Sequence, residues 1–304
     1  MIPARRLLAA TLLLAALSGC ATTPRGTAAT GGTSIRVVAA ENFWGSLAQQ
    51  LGGGRARVTS IINNPGADPH DYEPTAADGR AMATAQLAIV NGIGYDAWAG
   101  KLIEANPAPG RTVLTVGDVV GVKAGANPHR WYSPGDVRTV LDAITAGYKK
   151  VDPADAAFFD SQHDIVLKTS LQGYFDAIEG IKAGYAGTPV GASESVFALL
   201  APDLGLKLIT PESFLTAITE GTDPTAADKA AIDAQIKTKQ IRVYLFNAQN
   251  ATPDVQSQVN AAKAAGIPVV SMTETLTPAG ATFEDWQVSQ LILVKQALTQ
   301  ATGK

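Results

Sequence analysis

From residue 35 onward, short β-branched and aliphatic runs alternate with longer stretches whose apolar positions recur at helical spacing. This alternation predicts βα units around a parallel sheet. In the first half, strands are expected at 35–40, 58–62, 87–91 and 112–116, with helices at 43–51, 75–85 and 96–105. Gly52, Gly53 and Gly54 stop the first of these helices, and Pro107 follows the third. In the second half, strands at 188–192, 206–209, 241–246 and 267–271 alternate with helices at 196–201, 226–238, 253–265 and 283–300. There Gly266-Ile267-Pro268 ends a helix directly before a strand.

Between the two sets, Asp152-Pro153-Ala154-Asp155 supplies an N-cap, a first-turn proline and a first-turn acid. A helical pattern then runs to about 183, with Gly173 and Gly184 as places where it can end or kink. Some thirty residues of helix span about 45 Å, the length of a two-lobed body. The expected architecture is α/β: an N-terminal lobe at 34–151, a linking helix at 152–184 and a C-terminal lobe at 185–304, each lobe with a parallel sheet. A stiff connection of this kind permits only slight hinging.

The N-terminus follows a different pattern. Arg5 and Arg6 precede an apolar stretch at 7–17, and Leu17-Ser18-Gly19-Cys20 closes it with the only cysteine of the chain. A basic start, an apolar run too short to span a bilayer and small residues before Cys20 read as a lipoprotein signal peptide over 1–19. Competing readings are an ordinary signal peptide with a chance cysteine, or a lone free thiol. Residues 20–33, small and polar and interrupted by Pro and Gly, read as a lipidated flexible tether. The mature protein is then exported and anchored to the outer face of the cell membrane through a lipid at Cys20. No later apolar run has the length of a membrane span.

Composition changes the picture little. The formal charge is −3, becoming −5 once the two arginines of residues 1–19 are removed, and the basic residues are scattered rather than in runs. That argues against a nucleic-acid partner. The sequence carries no internal repeat and no histidine-rich tract, and a monomer is expected.

Four side chains carry candidate chemistry. Glu194 and Glu274 lie just past the carboxyl ends of expected strands, and His70 lies in the loop after another, where open parallel sheets place ligands. His129 sits in Asn127-Pro128-His129-Arg130-Trp131, ahead of a helix expected to start near Ser133-Pro134. Both histidines follow prolines that stiffen the backbone. Two imidazoles and two carboxylates suit a divalent ion such as Zn²⁺, Mn²⁺ or Fe²⁺. Taken singly, each histidine also fits a surface loop, Glu194 fits a cap on the helix that follows it, and Glu274 fits a solvated loop acid. His163 falls among polar neighbours in the long helix and receives no role.

Several motifs resemble those of the metal-binding, ligand-capturing subunits of bacterial ABC transporters for zinc, manganese and iron. They are Ala40-Glu41-Asn42-Phe43-Trp44, PGADPHDYEPTAAD at 65–78, NGIGYDAW at 91–98, NPHRWYSP at 127–134 and VSMTETL at 270–276. The resemblance implies His70 and His129 as N-lobe ligands, Glu194 and Glu274 as C-lobe ligands, and a metal in the cleft between two lobes joined by a long helix. The third ligand of such proteins is often histidine and the fourth usually aspartate; here Glu194 stands in GASESVFALLAPDLGL at 191–206, and Glu274 is one methylene longer than aspartate. Bidentate binding or a shifted backbone would absorb that length.

The oxygen-rich set and the missing histidine-rich loop tilt toward manganese without excluding zinc. Asn247 or Gln249, near the end of a strand, is expected to orient a ligand from behind. The implied function is extracytoplasmic capture of a divalent ion and its delivery to a membrane permease driven by a cytoplasmic ATPase, without catalysis. The alternatives are a metal-dependent hydrolase and a surface adhesin sharing the fold.

Overall fold

β1 (Ile35–Glu41) is buried at six of its seven positions and pairs in parallel with its neighbours on both sides, as expected of a central strand covered by helices on each face. The computed structural model describes residues 34–66, 69 and 72–304. The stretches read as signal peptide and tether, with Cys20, and His70 lie outside these described residues.

The chain continues through α1 (Asn42–Gly52), β2 (Ala56–Ile62), α2 (Ala76–Thr84), β3 (Leu87–Val90), α3 (Ala97–Ala105), β4 (Thr112–Thr115), the short α4 (Val116–Val119) and α5 (Pro134–Val151). α1 lies tight against β2: a Cβ on Gly45 would collide with Ser60 Oγ and come within 3.3 Å of Ser60 Cβ, so glycine favours the approach. α2 starts with a reciprocal capping box between Thr75 and Asp78, and α5 with Ser133 as cap and Pro134 in its first turn.

A helical run follows: a 3₁₀ turn at Pro153–Asp155, α6 (Ala156–Ile165), a π-helical turn at Val166–Ser170 and α7 (Gln172–Tyr185). The irregularity therefore falls ahead of Gly173, not at either glycine. β5 (Pro189–Ala192), β6 (Lys207–Leu208), α8 (Glu212–Thr219), α9 (Ala226–Lys237), β7 (Val243–Asn247), α10 (Pro253–Ala264), β8 (Val269–Met272) and α11 (Phe283–Thr302) complete the order.

Among the described residues the strands form two four-stranded parallel sheets, ordered β2-β1-β3-β4 and β6-β5-β7-β8. The same order occurs twice, although the sequence shows no repeat. Two local expectations fail. The helix read at 196–201 is a single 3₁₀ turn at Ser195–Phe197 followed by turns, because Pro202 and Gly205 leave it no room to propagate. The sequence pattern does not predict α8, since Pro211 and the polar Glu212 and Ser213 mask a short apolar face made by Phe214, Leu215 and Ile218.

One core cluster runs through both sheets. Phe43 stacks on Trp131 with centroids 3.8 Å apart, and Tyr132, Trp286 and Phe283 extend the ring contacts toward the C-terminal side. α11 packs on both α7 and α1, and its first residue donates its N–H to Ser46 Oγ. The final helix thus covers part of the first half.

Candidate metal centre

The carboxyl ends of the strands face one buried cluster. Glu194 follows β5 by two residues, Glu274 follows β8 by two, and Asn247 is the last residue of β7. β5 and β7 are neighbours leaving the sheet toward opposite sides, so Glu194 and Asn247 stand at the point where strand order reverses, the usual crevice of such sheets. His129 arrives from the other half, on the loop before α5.

His129, Glu194 and Glu274 are 0%, 1% and 1% exposed, and their donor atoms lie within 4.8 Å of one another. His129 Nε2 is 3.8 Å from Glu194 Oε1 and 3.6 Å from Glu274 Oε2. These three are brought together; the structure describes nothing of His70. Glu194 makes no capping bond with the turn after it, and Glu274 is buried rather than solvated.

The imidazole is oriented from behind. Asn127 Oδ1 accepts the backbone N–H of His129 at 3.0 Å and lies 2.9 Å from Nδ1, while Asn127 Nδ2 donates to Ser195 O at 2.8 Å. Because the amide oxygen is fixed as an acceptor, the neutral ring carries its proton on Nδ1 and turns the Nε2 lone pair toward the carboxylates. Ser195 Oγ, on the other half, also approaches Nδ1 at 3.2 Å and contacts Thr219 Oγ1 at 2.8 Å. Trp131 and Tyr95 pack edge-on to the imidazole, with centroids 5.2 and 5.9 Å away.

Amides hold the carboxylates. Asn247 Nδ2 donates to Glu194 Oε2 at 2.8 Å and to Glu274 Oε1 at 2.6 Å. Gln249 Oε1 accepts the backbone N–H groups of Glu274 and Thr275, and its Nε2 donates to Thr275 Oγ1 and to Pro65 O, on the segment leading to His70. Tyr95 O–H donates to Glu274 Oε2 at 2.7 Å. Leu276 N–H donates to Asn42 Oδ1, and Trp286 Nε1 donates to Thr273 Oγ1, so both halves grip the loop that carries Glu274.

The sequence points to Asn247 and Gln249, but not to Tyr95, Asn127 or Asn42, as contacts of the cluster. All three lie in the motifs NGIGYDAW, NPHRWYSP and Ala40–Trp44 quoted above, which is the signal that marks them.

A second buried acid pair supports the N-terminal wall. Glu41, at the end of β1, is fully buried beside Asp96, which accepts the N–H groups of Asn91 and Gly92 at 2.7 Å each. Burial, and next the neighbouring Asp96 charge, push the Glu41 carboxyl well above its usual range. Glu41 is the protonated member, because Asp96 already receives two backbone donors. Between Asn91 and Asp96, Ile93 has φ 62, a costly left-handed conformation for a β-branched residue. Asn91 in turn accepts Trp44 Nε1–H and donates to Pro128 O, directly before His129.

A cavity of about 840 Å³ approaches the cluster between the two halves, bordered by Tyr95, Asn127, Ser195, Leu215 and Thr219. Tyr95, Asn127 and Ser195 each contact a member of the cluster, so one layer of side chains separates cavity from centre.

Among the described residues, two parallel α/β sheets thus face one buried His/Glu/Glu cluster that could hold a metal ion. The chain belongs to the family described as zinc-uptake complex component A, periplasmic, whose model matches residues 37–297. It is 29% identical over 188 residues to the iron-binding protein YfeA of Yersinia pestis, covering 57% of this chain and 58% of that protein. It is 27% identical over 156 residues to the manganese-binding lipoprotein MntA of Halalkalibacterium halodurans, covering 50% and 51%. The matches thus span between half and three fifths of these curated relatives. A solved Mn-bound periplasmic metal binding protein from Candidatus Liberibacter asiaticus superposes with a TM-score of 0.71 at 19% identity, over 87% of this chain and 99% of that one, a likeness of fold.

Proposed function

We propose that the protein captures a divalent metal ion outside the cytoplasm, with His70, His129, Glu194 and Glu274 as its ligands, and delivers it to the permease of an ABC importer driven by a cytoplasmic ATPase. The observation that carries this reading is the convergence of His129, Glu194 and Glu274 from three distant segments into one buried cluster. Two carboxylates and an imidazole at this depth are costly to assemble without a cation to offset their charge. A neutral imidazole presenting Nε2 and two carboxylate oxygens form a donor set for zinc, manganese or iron. The cargo is held by protein groups in a shielded crevice, a design for carriage rather than turnover.

The division into lobes at 34–151 and 185–304 around the helical run at 152–184 belongs to the same proposal. So does a lipid on Cys20, which would keep a monomeric carrier near its permease at high local concentration. Among the described residues no helix is long and apolar enough to cross a membrane.

Titration of the mature protein with Zn²⁺, Mn²⁺ and Fe²⁺ against a competing chelator tests the reading. One tight site is expected, weakened well beyond a hundredfold in His70→Ala and in His129→Ala, because even partners behind a ligand are worth 10–100-fold. Unchanged affinity in either variant would remove that histidine from the site.

A further inference from the structure

α8 turns one face to the cavity beside the cluster. Glu212, Thr216 and Glu220 recur every four residues and border that cavity, while Phe214 and Ile218, on the other side of the helix, pack into the C-terminal core. Among the described residues that border the 840 Å³ space, Glu212 and Glu220 are the only charged ones, so no lysine or arginine of its lining offsets them. Both are exposed, and no hydrogen bond or ion pair among the described residues takes up either carboxylate. Glu220 is moreover the C-cap of α8, where the partial negative charge of the helix end disfavours an acid, so helix stability does not account for it. The inner end of the cavity is the layer formed by Tyr95, Asn127 and Ser195, each of which touches His129 or Glu274.

Resting on the metal-capture reading above, we infer that this cavity is the entrance by which a hydrated divalent ion reaches the cluster, and that Glu212 and Glu220 guide the ion in without being its ligands. A divalent ion with six waters fills roughly 200 Å³, at about 30 Å³ per water, so the cavity admits it with its shell intact. Carboxylates of one sign on the walls of a cleft focus the field there, and such clefts speed the arrival of an opposite charge by roughly 10–1,000-fold. The ion gives up its waters only at the inner layer, where protein oxygens and an imidazole replace them. Because the two acids act on charge and not on coordination, they serve zinc and manganese alike.

Stopped-flow mixing of the mature protein with Zn²⁺ or Mn²⁺, read by the fluorescence of Trp131 beside His129, measures arrival, and mixing the loaded protein with excess chelator measures release. In Glu212→Gln/Glu220→Gln, association at low salt should slow about tenfold for both metals. The gap should close in 1 M salt, where charges are screened within about 3 Å. Glu104→Gln/Glu179→Gln removes the same charge from exposed positions that do not border the cavity, and should associate as the wild type does. Thr216→Trp, which plugs the cavity without changing charge, should slow association and release by the same factor and leave the equilibrium affinity unchanged, as blocking a route does and losing a ligand does not. Should the double variant fail to fold, Glu220→Gln alone is held to the same salt dependence. Wild-type association in the cavity variant at low salt, an equal loss in the control pair, or wild-type rates in Thr216→Trp overturns the inference while leaving metal capture standing. Failure of the wild type to bind either metal overturns both.

Discussion

On the N-terminal side of the cluster, His129 is set among rings: Trp131 and Tyr95 meet its edge, Phe43 stacks on Trp131, and Trp44 reaches round to Asn91 behind it. On the C-terminal side, Glu194 and Glu274 sit in a net of amides and backbone donors centred on Asn247 and Gln249. The two sides solve different problems. A neutral imidazole tolerates apolar walls and needs mainly to be aimed, which packing and one acceptor on Nδ1 achieve. A buried carboxylate must be hydrogen-bonded or it will not stay ionised, so its wall has to be polar. The contrast implies that damage to the ring side appears first in stability, and damage to the amide side first in metal affinity.

The strongest test of that contrast is Phe43→Ala. Removing a fully buried ring stacked on Trp131 is expected to cost about 3–5 kcal/mol, seen as a fall in thermal midpoint on the order of ten degrees without metal. If instead the midpoint held and only affinity fell, the ring side would be tuning the ligand rather than supporting it. Gln249→Ala probes the opposite wall. It should lower the metal-free midpoint less than Phe43→Ala does, by the cost of two stranded backbone N–H groups, but weaken metal binding about tenfold, measured by chelator competition, because the backbone of Glu274 loses its anchor. A large loss of metal-free stability would erase the contrast.

The smallest expected effect sharpens the ring side through pH. Glu41 has a folded pKa above its unfolded value, so folding keeps its proton while the unfolded chain gives it up. Its contribution is full below the ordinary glutamate range and is lost as pH rises toward the raised value. Glu41→Gln keeps a donor for Asp96 without titrating. Its thermal midpoint should therefore exceed that of the wild type by a margin that is negligible at low pH and widens toward neutrality. A margin that shrinks as pH rises would mean that Glu41 is ionised in the folded protein.

The parallel sheets were legible because strands buried on both faces read as apolar runs between capped helices, as in Val37 to Ala40 and Leu87 to Val90. The failures were local. Nothing in 196–201 announces that Pro202 and Gly205 hold it to one 3₁₀ turn, and α8 has too short an apolar face to stand out. In the cluster, Glu194 and Glu274 were legible from their places after strands, and Asn247 from its place at a strand end. Tyr95 and Asn42 were not, because their partners are Glu274 and Leu276, 179 and 234 residues away in sequence, and Asn127, although it meets His129 two residues on, is oriented by Ser195, 68 residues away. Such pairings are set by how the halves meet, which no local pattern encodes.

The packing of α11 on α1 has a consequence for the order in which the molecule can be assembled. A chain growing from its N-terminus makes β1 to β4 first, yet the helix that covers α1, with Phe283 and Trp286 in the shared core, is its last element. The contact of Phe283 with Ser46 spans 237 residues of sequence, the kind of long-range pairing that slows folding. The twenty-residue α11 thereby ties the core of one half to the other through Phe283 and Trp286.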